Sequence, residues 1–452
     1  MESCGSIVAE NGVMASASVV VVGAGIAGLT AAYQLSKHGM DVTVLEASER
    51  VGGRMSTDRA DGYLIDRGAQ FLSDGYSVIG GLIDELGLAR NVRRASGWTG
   101  TVRGGSVRRI NASYPWTLAT SGLLRWRDTF RVARASLALV RRTRNLPLSV
   151  YSAWHALDDA DAADWIARFF GKDALEYVFE PMLEGFYFQA PERMSRAWPA
   201  IVWSFGARRK AVTALAGGMG SLPEALAQKV EVCLSTPATS IDTAGAGVRV
   251  ETPSGVLQAD HVVLATTASA ARQLYAPEHE VEERLLRTDY SASINISFAI
   301  PQGVPTVKGT RGIYGVLIPR KERQVIAAIA LESRKCESYV PRGELLNVML
   351  SGAAGRRLLE APEEQVLAEV LPELERCFPG IERKITFARF CRWPEALPRS
   401  PVGRSRDLEH YRRISHPRMK VILAGDYMSI PCSEGAAESG MWAAAMLTER
   451  LR

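Results

Sequence analysis

One stretch near the start of the chain limits the fold more than any other. Ser18–Gly23, "SVVVVG", is a β-branched run too short for a helix, and it leads directly into "GAGIAG". Gly23, Gly25 and Gly28 have GxGxxG spacing, and the next segment, "LTAAYQLSKHG", carries apolar residues at helical intervals and ends on glycine. "MDVTVLE" then reads as a second strand ending at Glu46. Each residue type has a task in such a unit. Gly23 permits a tight turn, Gly25 lets backbone approach a pyrophosphate, and Gly28 lets helix pack on strand. The helix start at Ile26 and Ala27 aims free N–H groups and a partial positive charge at phosphates. Glu46, with Ala47 beside it, lies 23 residues after Gly23, where a carboxylate can accept ribose hydroxyls. A negative charge there repels a 2′-phosphate, which disfavours NADP. The order predicts an α/β fold with a Rossmann-like dinucleotide-binding domain.

Glu46–Met55 reads "EASERVGGRM". A nicotinamide site has no need of Gly52, Gly53 and Arg54 just past the acid. This arrangement resembles the extended dinucleotide motif of the flavin amine oxidase and protoporphyrinogen oxidase superfamily. The resemblance continues through "GYLIDRGAQFL", Gly62–Leu72, and through "MKVILAGDYMSIPCSEGAAESGMWAAAML" near the C-terminus. It implies FAD as cofactor, with backbone at Gly53 against the pyrophosphate, Arg54 beside the cofactor, and Gly68, Ala69 and Gln70 passing the flavin. It further implies an adenine contact near Ala238, a ribityl or pyrophosphate contact at Gly425 and Asp426, and a helix start at Ser433, Glu434 and Ala436 facing the flavin pyrimidine. Flavoenzymes of this kind that bind FAD covalently need a cysteine around Gly403–Arg406; none is present, so non-covalent FAD is expected. "GMGSLP" is not a second nucleotide loop, because Pro223 stands at the third glycine and no strand precedes it.

The matched segments are separated, so the FAD domain is expected to be discontinuous, comprising residues 15–75, 214–290 and 405–452. Residues 76–213 read as a helical insert facing substrate or membrane. Residues 291–404 read as a sheet-containing part of an inserted α+β substrate domain, from the alternation in "SINISFAI", "IYGVLIP" and "QVIAAIAL". Residues 1–14 read as a disordered leader without a signal-peptide pattern.

Six scattered cysteines and six scattered histidines give no CxxC, HxH or HxxxH pair, which argues against a disulfide framework or a metal site and suits a reducing, cytoplasmic location. No stretch reaches the ~20 apolar residues a transmembrane helix needs. The net charge of +5 is uneven: residues 101–150 hold ten arginines and one acid, Asp128. Such a segment is either a solvated helical face or a contact for anionic lipid or substrate. Nucleic acid is disfavoured, because no recognised binding motif accompanies the arginines.

FAD would do the redox chemistry, and the protein would select what is oxidised. The expected reaction is hydride removal from a large apolar substrate, with O2 or another acceptor taking the electrons. "EPMLEGFYFQAPERMSRAW", "YGVLIPRKE" and "RWPEALPRSPVGR" are similar to segments of the protoporphyrinogen oxidase branch, which implies a porphyrinogen. Asn295 stands where amine oxidases place a lysine, which weighs against amines. The ending "SEGAAESG" is closer to isoprenoid desaturases, so a carotenoid-type desaturase or an amine oxidase is the alternative, and a non-catalytic flavoprotein is a third. Arg311 and Arg392 are candidates to pair with substrate carboxylates. Tyr187, Phe188, Tyr314 and Trp393 are candidate apolar walls, against the ordinary expectation that aromatics are core. No residue stands out as an acid–base catalyst.

Overall fold

The computed structural model describes residues 17–449 except 112, 113, 115, 244, 246 and 306. The expected leader at 1–14 lies outside the described residues.

Strand Ser18–Val22 forms where four consecutive valines favour extended backbone. It sits at the centre of a five-stranded sheet, ordered Glu231–Cys233, Asp41–Leu45, Ser18–Val22, His261–Leu264, Val421–Leu423. All neighbours run parallel, with Val20 opposite both Thr43 and Val262. Both faces of such a sheet must be covered, which is why the valines read as an unbroken apolar run. Helices Ile26–Lys37 and Ser433–Thr448 follow the first and last of these strands in sequence and pack on one another. A Cβ at Gly440 would lie 2.1 Å from the Ala27 carbonyl oxygen, so only glycine permits that approach. An antiparallel three-stranded sheet, residues 240–259, is inserted before the fourth strand.

The second large sheet has seven strands, ordered Phe387–Pro398, Tyr290–Ile300, Glu344–Leu350, Ile326–Leu331, Gly315–Leu317, Trp98–Arg103, Ser106–Asn111. Its pairs are antiparallel except that Gly315–Leu317 runs parallel to Trp98–Arg103. Tyr290–Ile300 is buried along its whole length.

The helical reading of residues 76–213 needs correction. The segment holds helices at Trp126–Thr143, Ala162–Phe169, Glu180–Tyr187 and Ala197–Ala207, but also the strand Val92–Arg94 and the hairpin Trp98–Asn111. Arg103, Arg108 and Arg109 are therefore on a hairpin, not a helix. Gly104 and Gly105 make its turn with φ of +60° and +67°, as a two-residue turn between twisted strands requires. No helix among the described residues is long and apolar enough to cross a membrane.

Candidate active site: a cavity from the glycine turn to an aromatic chamber

A continuous cavity runs from the first glycine turn to the seven-stranded sheet. The three glycines of that turn behave differently. A Cβ at Gly23 would come within 2.9 Å of the Ala265 oxygen, and one at Gly28 within 1.9 Å of the Gly23 oxygen. Those two are fixed by protein packing. Gly25 has no protein atom within 4 Å of its Cβ position, and it opens on the cavity with Ile26 and Ala27. Helix Ile26–Lys37 begins there without a side-chain cap or a first-turn acid, leaving its end N–H groups for an anion.

Glu46 lines the same end of the cavity. Its carboxylate accepts the Ala24 N–H at 2.8 Å and the Ser48 N–H and hydroxyl at 2.9 and 2.8 Å. With about four lone-pair directions in total, it has room for roughly one further donor rather than the pair of ribose hydroxyls the sequence suggests. Ala47 and Ala238 lie beside it in the cavity wall.

The glycine pair after Glu46 closes on this turn. Gly52 donates its N–H to the Ala24 carbonyl at 2.8 Å, and its φ of +96° would put a Cβ 2.7 Å from the Met55 oxygen. Gly53 faces Gly25: a Cβ built on it would lie 3.8 Å from the Gly25 Cα. Arg54 then reaches across the fold to Asp426 in a two-pronged ion pair, Nη1–Oδ2 2.6 Å and Nη2–Oδ1 3.0 Å. Burial opposes the guanidinium charge, but Asp426, with Tyr290 beside it, raises the Arg54 pKa above its ordinary value. The Arg54 carbonyl accepts the Ala69 N–H at 2.8 Å, so close that a Cβ at Gly68 would sit 2.3 Å from that oxygen. Gly53, Gly68, Ala69, Gln70, Gly425 and Asp426 all line the cavity.

Ser433 and Ala436 line it too, at the uncapped start of helix Ser433–Thr448. Glu434 does not. Its fully buried carboxylate turns away and accepts the N–H groups of Ser77, Val78 and Ile79 at 2.7–2.9 Å, and the Ser149 hydroxyl at 2.6 Å. It therefore caps helix Ser77–Glu85, a role fixed by helix geometry because Ser433 and Glu434 project in different directions.

At the sheet end the walls are Phe71, Phe186, Tyr187, Phe188, Tyr314 and Trp393, with Leu317, Ala328, Ala330 and Met349. Tyr187 meets Trp198 edge-on at 4.9 Å, and burial pushes the Tyr187 and Tyr314 phenols up. Phe188 ends helix Glu180–Tyr187 in the left-handed region at φ +54°, costly for an aromatic, and its oxygen leaves no room for a side chain at Gly352. Trp393 donates its indole N–H to the Arg67 carbonyl at 2.7 Å. Asn295 also faces the cavity, and its Oδ1 accepts the Ser293 hydroxyl at 2.9 Å.

The two candidate arginines are corrected by the structure. Arg392 precedes Trp393 on one strand, so the two side chains point to opposite faces. With Trp393 in the cavity, Arg392 donates instead to the Leu358 and Leu359 carbonyls at 3.0 and 2.6 Å, ending a short helix. Arg311 is exposed in a turn outside the cavity.

Sequence reasoning missed a buried charge cluster beside the chamber. Lys335 is fully buried, pairs with Asp66 at 2.9 Å and with Glu332, and lies over the Tyr339 ring. Asp66 also accepts the Thr57 hydroxyl at 2.7 Å and the Met219 N–H at 3.0 Å, joining the "GGMGSL" turn to the strand before Gly68. Burial, outweighing the pull of Lys335, pushes the Glu332 carboxyl up to about 7. No local pattern announces a contact between positions 269 apart. Among the described residues there is no metal-ligand cluster.

A family model for flavin-containing amine oxidoreductases matches residues 26–448. The chain belongs to that family. Its relatives include a protein of Bacillus subtilis named coproporphyrinogen III oxidase, 24% identical over 92% of this chain and 94% of that one. A protein of the same name from Mycobacterium bovis is 27% identical over 94% and 96%. The fold is similar to that of a provisionally assigned protoporphyrinogen oxidase from Exiguobacterium, with TM-score 0.74, 22% identity and coverage of 96% and 99%. It is also similar to that of cyclohexylamine oxidase from Brevibacterium oxydans, with TM-score 0.72, 20% identity and the same coverage. The protein is an FAD-dependent oxidoreductase of this amine oxidoreductase family. The cavity fits FAD at its glycine end, where Gly25 keeps space open that no protein atom claims.

Proposed function

We propose that the chain oxidises a porphyrinogen, with FAD bound non-covalently along the cavity and O2 or another acceptor taking the electrons. Supporting this is the chamber at the sheet end, whose walls are aromatic and aliphatic, together with near-full-length similarity to two proteins named coproporphyrinogen III oxidase. Residues 15–75, 214–290 and 405–452 would together hold the cofactor.

When bound, FAD supplies the hydride acceptor. The residues around it have separable tasks. The N–H groups at Ile26 and Ala27 would hold the pyrophosphate, with Gly25 and Gly53 leaving backbone open to it. Glu46 would take a ribose hydroxyl, and Ala238 would border the adenine. Arg54 and Asp426 fix each other and would stand beside the ribityl or pyrophosphate portion of the cofactor. The helix start at Ser433 favours negative charge at the ring end. Tyr187, Phe188, Tyr314 and Trp393 hold the apolar ring system of the substrate and exclude water, which strengthens these electrostatic contacts.

The test is aerobic incubation with coproporphyrinogen and, separately, protoporphyrinogen. Porphyrin fluorescence growing faster than in a control with FAD-free protein supports the reading, and equal rates both in air and with an added artificial electron acceptor sink it.

One observation favours a second reading. With Arg311 and Arg392 outside the chamber, the one cationic side chain among the described lining residues is Arg54, which Asp426 already pairs, and substrate carboxylates would have to stay at the cavity mouth. An uncharged isoprenoid polyene has no such constraint. Turnover of a polyene with none of either porphyrinogen would select it.

A further inference from the structure

Helix Trp126–Thr143 has two apolar faces. Val132, Ala135, Leu139 and Thr143 point inward and are buried. At about 100° per residue, Trp126, Phe130, Ala133 and Leu137 share the opposite side. There Trp126 is 76% exposed, Phe130 70% and Leu137 52%. Folded chains seldom leave such a run of large apolar side chains in water without a partner for it.

Arg127, Arg134 and Arg141 recur every seventh residue along one flank of this outer stripe, and all are exposed. Arg125, Arg142 and Arg144 are exposed as well. Among the described residues none of these six takes part in an ion pair. The arginines that turn inward are used by the fold. Arg131 donates to the Phe169 carbonyl at 3.3 Å, and Arg103 pairs with Asp173 at 2.9 Å. Apart from Arg127, whose guanidinium lies 5.3 Å from the centre of the exposed Trp126 ring, the outward arginines are left over by folding. Trp116 and Phe169, 61% and 53% exposed, lie on elements packed against this helix.

We infer that this helix seats the protein on an anionic lipid surface. Trp126, Phe130 and Leu137 enter the boundary between headgroups and acyl chains, and Arg127, Arg134 and Arg141 meet the phosphates. Charge complementarity selects this occupant over a neutral membrane or an apolar protein groove. Behind the helix, Trp203 donates its indole N–H to Ser136 at 2.9 Å and stacks on Phe179 at 4.5 Å. Phe179 leads into helix Glu180–Tyr187, whose Tyr187 lines the cavity. Trp203 and Phe179 thus connect the lipid-facing helix to the helix that carries Tyr187. The inference does not depend on which substrate that chamber takes.

The experiment is co-sedimentation of the full-length FAD-loaded protein with vesicles of phosphatidylcholine alone and of phosphatidylcholine with phosphatidylglycerol in equal parts. Binding to the anionic vesicles only, released by salt, is expected. The triple variant R127Q/R134Q/R141Q should bind on the order of 100-fold more weakly, and Phe130→Ser should lose binding while keeping its flavin. No co-sedimentation, or a triple variant that binds as tightly as the parent, overturns the inference. So does a lipid-free dimer in sedimentation velocity that Phe130→Ser makes monomeric, because the face would then belong to a second copy.

Discussion

Arg54 and Asp426, 372 positions apart, hold each other in a two-pronged ion pair at the wall of the cavity. The pair joins the turn after the second strand to the segment after the last strand of the parallel sheet. Arg54→Ala leaves the buried Asp426 carboxylate without its partner, which costs about 3 kcal/mol. FAD affinity should fall by roughly tenfold or more, since Asp426 loses the charged donors that hold it in the cavity wall. Chemical denaturation and flavin fluorescence read the two effects separately. Unchanged FAD affinity would remove the pair from the cofactor site.

Gly25 and Gly28 separate packing from binding. Gly28→Ala places its Cβ 1.9 Å from a carbonyl oxygen and should destabilise the apoprotein and the FAD-bound protein alike. Gly25→Ala meets no protein atom, so the apoprotein should keep its melting temperature while FAD binding weakens. Thermal melts with and without FAD decide it, and equal losses for both variants would contradict the assignment.

Glu434 is a helix cap, and Glu434→Ala should cost about 2 kcal/mol or more, at the upper end of cap substitutions because several donors lose their acceptor. Its bound FAD per chain, measured after purification, should match the parent. Loss of flavin from a still-folded variant would return Glu434 to the cofactor site.

Glu332 sets a pH dependence. Its folded pKa of about 7 lies above the ordinary 4.5, so the native state favours the protonated carboxyl. The stability this confers is complete below pH 4.5 and is lost as pH rises through about 7. The difference is about 3 kcal/mol. Urea denaturation across that range should show a decline that Glu332→Gln abolishes, and parallel profiles for the two proteins would refute it.

Cys432 lines the cavity, with its thiol pushed up to about 12 by burial. It should stay protonated and unattached to the flavin. Acid precipitation should leave the yellow colour in the supernatant; a yellow pellet would contradict this.

The nucleotide end of the cavity was legible because its determinants are local. Gly23, Gly25, Gly28 and Glu46 lie on one strand–turn–helix–strand unit, and glycine at each turn position answers a nearby backbone oxygen or an open space. At the sheet end of the cavity, the sequence picked out the aromatics that line it but misplaced the charges. Arg392 and Trp393 are adjacent on a strand, so alternation allowed only one of them into the chamber. The hairpin at Trp98–Asn111 carried a readable Gly104–Gly105 turn, which its arginines obscured. The Asp66–Lys335 pair and the Glu434 cap depend on tertiary contacts between distant segments, and no spacing in the sequence encodes either.

The most direct test of the whole account is a visible absorption spectrum of the purified protein, repeated without oxygen after adding coproporphyrinogen. A flavin band that bleaches on addition is predicted. A flavin band that persists with coproporphyrinogen and protoporphyrinogen alike would contradict the proposed substrate, and the absence of any flavin band after reconstitution with FAD would contradict the account at its root.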